Sequence, residues 1–245
     1  LSGNASAAWN ADPAAVASDL TTAGTFTIDR LDATAPALNG DRIRLARVEL
    51  PWRLTAQPNG IAIDDFQLRS DVGQLAARGR LDSATFSAPQ NPSASSFPFA
   101  GNNDVELRGT VDLARLATML PHALRIRSDT IVTAGSVELN GRLQPTATGQ
   151  SLTGSLRTAQ IAATASGKPF RWDDPIGANF SLRRENGTLA LDALQCDSKF
   201  LHVQAAGTFQ KLSADASFDL NALAEQLGQF IDLSGTQLAG TGTAQ

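Results

Sequence analysis

One stretch of this chain occurs twice. IAIDDFQLRSDVGQLAARGRL at 61–81 aligns without a gap on LALDALQCDSKFLHVQAAGTF at 189–209, an offset of 128. Six of the 21 positions are identical, where unrelated segments of this composition would share about one or two. Seven more pair one apolar residue with another, among them Ile61/Leu189, Ile63/Leu191, Phe66/Leu194 and Leu68/Cys196. Self-similarity of this kind constrains a fold more than any local propensity, because each copy must form the same substructure and bury its apolar face against the next.

Other segments repeat in the same order. GTFTIDRLDATA (24–35) matches GSLRTAQIAATA (154–165) at offset 130, and VDLARLATMLPHALRIR (111–127) matches FDLNALAEQLGQFIDLS (218–234) at offset 107. Asp112/Asp219, Leu113/Leu220, Leu116/Leu223 and Leu120/Leu227 are identical pairs in the last match. The offset falls by 21 between residues 81 and 111, an interval that holds the Pro-, Ser- and Asn-rich run SAPQNPSASSFPFAGNND. That run reads as a surface insertion, since loop entropy rises slowly with length. LAGTGTAQ (238–245) resembles the opening LSGNASAA (1–8). The expected organisation is a first unit at 1–132 with an insertion about 84–104, a second unit at 133–237, and the start of a further unit at 238–245. The chain is expected to be a window on a longer array.

Period-two alternation dominates. In GTFTIDRL, Phe26 and Ile28 face one way while Thr25, Thr27 and Asp29 face the other. DRIRLARVEL and GSVELNGRL repeat the pattern, which is that of antiparallel strands with one apolar face and one wet face. Asn-Gly pairs at 39–40, 59–60, 140–141 and 186–187 supply the positive φ values of tight hairpins and are expected between strands. A meander of about six to eight strands per unit, each of about 5–10 residues, follows. The fold class is all-β, mostly antiparallel, with a few short helices, the tandem units forming an elongated curled sheet or groove.

Helix signals are few. Asp112 and Asp219 are expected N-caps. Leu113, Leu116 and Leu120 then share one helical face, as do Leu220, Leu223 and Leu227; Pro121 and Gly228 close the helices. Ala14–Leu20 is expected to form another, with Asp12 as cap and Pro13 in its first turn.

Chemistry is sparse. A net charge of −4 and a pI near 5.1, without a basic cluster, leave nucleic-acid binding little electrostatic footing. The lone Cys196 has no disulfide partner and aligns with Leu68, so it reads as a small hydrophobe in a sheet. His122 and His202 have no neighbours at metal-ligand spacing. Asp64/Asp65 and Asp173/Asp174 are paired carboxylates, and Asp64 recurs as Asp192, which points to a turn or strand-end role. Trp9, Trp52 and Trp172 read as packing residues rather than sugar-stacking platforms. No Walker, Rossmann, GxSxG or HExxH pattern occurs. The expectation is a protein that is not an enzyme, with no catalytic residue, cofactor, metal or nucleic-acid partner.

The order of parts carries a resemblance. A polar-alternating meander is followed by the helix pattern beginning Gly109-Thr-Val-Asp112-Leu113, and then by Ala134-Gly135-Ser136; the second copy has Ala216 for the glycine and ends on Ala239-Gly240-Thr241. The chain resembles the repeat region of bacterial AsmA-like proteins, relatives of the TamB and YhdP group. The resemblance covers nearly the whole chain. It implies a periplasmic segment of a protein anchored in the inner membrane by a helix outside this stretch, with a long β-groove along which lipid acyl chains move between membranes. Phospholipid acyl chains are then the expected partners, and Ile61, Ile63, Phe66, Leu189, Leu191 and Leu194 the expected lipid-facing residues. Ile61 and Ile63, two apart, share a face; Phe66, three further on, joins them only if a bulge intervenes. The competing expectation is a structural or adhesive repeat whose apolar faces close into a dry core.

Overall fold

The computed structural model describes residues 2–11, 20–86, 101–172, 174–185, 188–208, 210–233 and 239–244. The strands are β1 (Ser2–Ala11), β2 (Thr21–Ala33), β3 (Ile43–Gln57), β4 (Gly60–Ser70), β5 (Gly73–Asp82), β6 (Asp104–Asp112), β7 (Thr130–Pro145), β8 (Gly149–Ala165), β9 (Lys168–Trp172), β10 (Gly177–Glu185), β11 (Thr188–Asp197), β12 (Leu201–Thr208), β13 (Lys211–Asp219) and β14 (Thr241–Ala244). Helix α1 (Leu113–Met119) joins β6 to β7, and α2 (Leu220–Leu227) lies between β13 and β14.

All strands belong to one antiparallel sheet in sequence order from β1 to β14, with β9 set aside to pair only with β8. Among the described residues β1 pairs only with β2 and β14 only with β13, so the sheet is open. The fold is all-β.

The sequence offsets are offsets of strand register. Ile63 pairs with Gly79 and Phe66 with Ala77; Leu191 pairs with Gly207 and Leu194 with Ala205. A bulge lies between the two pairs in each copy. On the other side Trp52 faces Phe66 and Phe180 faces Leu194, with matching bulges at Arg53/Leu54 and Ser181/Leu182. Arg30 and Gln160 occupy the left-handed region at φ 56° and 54°, each kinking a long strand at the equivalent residue.

Several expectations change. Most strands keep to 5–10 residues, but some are longer: β3 has 15, β7 16 and β8 17. Asn140 and Gly141 do not turn. They lie inside β7, where Gly141 is flanked by Leu107 and Gly154; neighbours on both sides hold the dipeptide extended against its turn preference. Asn39-Gly40 does sit between strands, and Asn59 lies in the turn before β4, whose first residue is Gly60. Asp64 and Asp192 mark bulges within strands rather than turns or strand ends. A bulge inserts one residue and restores the alternation that a three-residue step would break. The helix expected at Ala14–Leu20 falls almost wholly outside the described residues, as do Asn186-Gly187, Asp173 and the middle of the insertion.

Asp112 caps α1 by accepting from Arg115 N at 3.0 Å, and Asp219 caps α2 by accepting from Asn221 N and Ala222 N at 2.9 Å each. Such caps are worth about 1 kcal/mol each. The loops after the two helices bond to each other: Arg127 N donates to Phe230 O at 3.0 Å and Asp232 N to Arg125 O at 2.8 Å. The helices therefore gather at one rim of the sheet. There sits the buried cluster of Ala117, Val132, Ala163, Trp172, Phe200 and Phe230. Its rings meet edge-on, Phe170–Phe230 at 4.6 Å and Trp172–Phe200 at 5.6 Å. Leu116 and Leu223 are only half-buried; Ala117 is the buried residue of α1.

Candidate functional site

The candidate site is a face, built by alternation and kept in phase by bulges. Directly opposed residues on neighbouring antiparallel strands share a side of the sheet. Following the pairs across, Leu54 meets Ile63, Ile63 meets Gly79, Gly79 meets Val105 and Val105 meets Leu143. The row continues through Leu152, Leu182, Leu191, Gly207 and Leu212. A second row runs Trp52, Phe66, Ala77, Leu107, and later Phe180, Leu194 and Ala205. One side of the sheet is thus apolar from β3 to β13.

All six expected residues lie on that side. Ile61 and Ile63 precede the β4 bulge and Phe66 follows it; Leu189, Leu191 and Leu194 stand likewise on β11. They do not form one pocket. Six strand steps separate β4 from β11, roughly 30 Å at the usual strand spacing. Leu189 lies at the rim opposite Arg184, so its surroundings are more polar than those of its equivalent Ile61, which pairs with Ala56 and Leu81.

None of the six is buried; all are half-buried. Outside the helix-covered rim, the buried apolar residues of this face are Val48, Ala77 and Leu143. Leu156 stays 38% exposed and Leu212 58%. Lateral neighbours within one sheet account for partial cover of this kind.

Large rings lie flat beside glycines. A Cβ at Gly24 would come within 2.5 Å of the Trp52 ring, and one at Gly154 within 2.4 Å of the Phe180 ring. Trp52 and Phe180 occupy equivalent places, so the rings drape over the neighbouring backbone and keep the surface low. Reading only 61–66 and 189–194 missed these residues, although period two marks them as strongly as it marks Ile61. Cys196 is half-buried on the same face, between Ala178 and Val203.

The opposite side is polar and laced with ion pairs: Arg47–Glu49 at 2.7 Å, Arg183–Asp192 at 3.1 Å and Arg78–Asp65 at 3.7 Å. Exposed pairs add little stability, but they keep this side wetted. Asp64 accepts from the Thr55 hydroxyl at 2.7 Å. Thr55 and Arg183 are equivalent positions, so each copy satisfies its bulge carboxylate from the same place.

Both histidines contact carboxylates. His122 Nδ1 lies 2.6 Å from Asp41 Oδ1, and His202 Nδ1 bonds Asp197. Asp41 is buried, which pushes its carboxyl up, but donation from Ala123 N and from His122 outweighs this and holds it below the ordinary value. Asp129 is held well below the ordinary carboxylate range by Arg127 and the Ser166 hydroxyl. These contacts tie loops at the helix rim. Among the described residues no group of three or more His, Cys, Asp or Glu could hold a metal ion, and no helix is long and apolar enough to cross a membrane.

Comparison with protein-family models, with curated proteins and with solved structures finds no match to this chain.

Proposed function

We propose that this chain is a non-enzymatic β-groove segment of an AsmA-like envelope protein, periplasmic and anchored in the inner membrane through a part outside this stretch, whose apolar face binds or conducts lipid acyl chains. One observation carries the reading: the apolar face is continuous from β3 to β13 and is left half-exposed. Burying a methylene group gains about 0.8 kcal/mol, so acyl chains laid on this surface are held without any polar contact. Because the rows cross strands, a chain can slide along them and meet the same chemistry at each repeat. The polar side keeps the segment in water, and the tandem units lengthen the surface without changing its section.

The test joins folding and lipid capture. A photo-reactive residue replacing Leu54 reports lipid in bacterial cells, and native mass spectrometry of the purified chain reports copurified phospholipid. Ile63→Asp and Leu191→Asp each set a carboxylate on the apolar face. An unpaired charge pressed against hydrocarbon costs several kcal/mol, yet on an open face it remains hydrated when no lipid is bound. The expected result is folded variants that lose lipid crosslinks. Variants that unfold, from a parent that captures no lipid, instead identify a structural or adhesive repeat with a closed dry core.

A further inference from the structure

We propose that the hollow beside α1 in the first unit binds a phosphoryl amine, the chemistry of an ethanolamine-type phospholipid head group. That this group arrives on a lipid rests on the function proposed above; the site itself does not.

The hollow has a volume of about 630 Å³ and lies between the loop before β3, the start of β3, the β4–β5 turn and α1. It stands at the helix-side end of the apolar face. Val48, buried on that face, pairs with Ser70, and the next two residues, Asp71 and Val72, line the hollow. A lipid whose chains lie on the face thus has a corner beside them for its polar end.

The charges around the hollow do not cancel pairwise. Arg42 holds Asp32 at two points, Nε to Oδ1 at 3.0 Å and Nη2 to Oδ2 at 2.8 Å, and Arg44 Nε stands 3.8 Å from the same Oδ2. Two guanidiniums therefore share one carboxylate. Arg115 reaches Asp112 only at 3.8 Å. All three arginines line the hollow and are at least half exposed, with donors left to give. Guanidinium forks of this kind match phosphoryl oxygens.

Asp71 supplies the opposite sign. Its Oδ2 accepts from Ala46 N at 3.2 Å, while Oδ1 is covered and has no hydrogen-bond partner. Among the described residues no Lys, Arg or His pairs with this carboxylate. A covered carboxylate oxygen without a donor is costly, and a small turn of the side chain brings it to an N–H donor in the hollow. Asp41, the other acid of the wall, is already occupied by His122 and Ala123 N. One unmatched cation and one unmatched anion facing a shared space fit a ligand that carries both charges.

The second unit lacks this arrangement. Lys199 stands at the place of Asp71, Pro169 at that of Arg42 and Ala222 at that of Arg115, and Trp172, Phe200 and Phe230 fill the corner. The charge pair and the room for it occur together in the first unit alone among the described residues.

The test titrates the full chain with glycerophosphoethanolamine, the head group without acyl chains, by isothermal calorimetry. The parent is expected to bind it. Asp71→Asn, which keeps an acceptor for Ala46 N, and Arg44→Gln are each expected to weaken binding at least about tenfold, the effect of one lost charge-assisted hydrogen bond. Glycerophosphocholine, whose nitrogen has no N–H, is expected to bind the parent at least about tenfold more weakly. Val72→Phe, which puts a ring into the hollow, should lose binding while circular dichroism shows it folded. A folded parent that does not bind overturns the proposal. So does binding that Asp71→Asn and Arg44→Gln leave unchanged, or that glycerophosphocholine or the carboxylate amine β-alanine equals. The source of the group is read from the lipids captured at Leu54 in cells. Enrichment of amine phospholipids over phosphatidylglycerol, lost in Asp71→Asn while total capture persists, places the group on a lipid. Head-group binding by a parent that captures no lipid upholds the site and makes its ligand a free phosphoryl amine. Lipid capture with neither head-group binding nor enrichment removes the site and leaves the lipid reading standing.

Discussion

The same corner of the repeat is filled in one unit and hollow in the other. Leu45 pairs with Leu31, one residue past left-handed Arg30; Trp172 pairs with Ile161, one residue past left-handed Gln160. Val72 stands where Phe200 stands 128 residues later. In the second unit Trp172, Phe200 and Phe230 close the corner under α2. In the first, the corner beside α1 holds a cavity of about 630 Å³ lined by Asp41, Arg42, Val72, Ala114, Thr118 and Met119, against about 280 Å³ in the second. The first corner is tied by hydrogen bonds instead, from Ala123 N and His122 to Asp41. Backbone register is thus shared between the copies while the means of closing them is not. The aromatic corner also coincides with a break: β3 is continuous, whereas its counterpart is divided into β9 and β10. Pro175 in that gap has no N–H to give a ladder.

The largest effect expected from this contrast is on stability. Trp172→Ala removes a buried ring that meets two others and should cost about 3–5 kcal/mol. Leu45→Ala, at the equivalent but half-buried place, should cost about 1 kcal/mol. Urea titration of both variants checks the ordering; equal losses would mean that the first corner is as tightly closed as the second.

The helices give a smaller version of the same difference. Leu223 packs against the aromatic cluster, while Leu116 is half-buried outside it. Truncation to Ala should cost about 2 kcal/mol at Leu223 and about 1 kcal/mol at Leu116, below the full range for buried leucines because both keep solvent contact. A reversed order in the same titration would show α1 to be the better anchored helix.

Carrying the second unit's residue into the first sharpens the comparison. Val72→Phe extends a ring toward the cavity and should gain about 1 kcal/mol from apolar burial. A loss of about 1–3 kcal/mol, the usual cost of overpacking, would instead show that the hollow is too shallow to hold a ring.

Much of this was legible in the sequence, and the reasons are particular. Two gapless alignments at offsets 128 and 107 foretold strand pairing because paired strands repeat together: Leu75 facing Gly109 becomes Val203 facing Ala216. The step from Ile63 to Phe66 required a bulge, and the bulge is there. Asp112 and Asp219 cap as expected because capping is local. Asn140-Gly141 misled because turn preference is weaker than two flanking ladders. The aromatic cluster was hidden since β9, the loop before β12 and the loop after α2 meet only in three dimensions; Trp172 could be read as a packing residue but not paired with Phe230. The candidate face was legible in direction and not in extent. Alternation says which residues share a side, whereas whether a second layer covers them depends on tertiary contacts absent from any local pattern.

The smallest expected effect is local and depends on pH. The Asp41 carboxyl is held below its ordinary value of 3.8, so it is a stronger acid in the folded chain than in the unfolded one. Its contribution is therefore complete above the unfolded value and is lost as pH falls through the lower folded value. Protonation weakens acceptance from Ala123 N and from His122, and the loop after α1 loses its tie to the loop before β3. Hydrogen exchange at the Ala123 amide, corrected for intrinsic rate, should be protected at pH 6 and should lose that protection on acidification below about pH 3.8. Asp41→Asn should show reduced protection already at pH 6, with little change between the two conditions. The aromatic corner has no carboxylate inside its ring cluster, so the amide of Phe230, which donates to Leu227 O at 2.9 Å, should keep its protection over the range in which Ala123 loses it. If both amides open together, the two corners form one cooperative unit, and the division between a bonded and a packed corner does not extend to their dynamics.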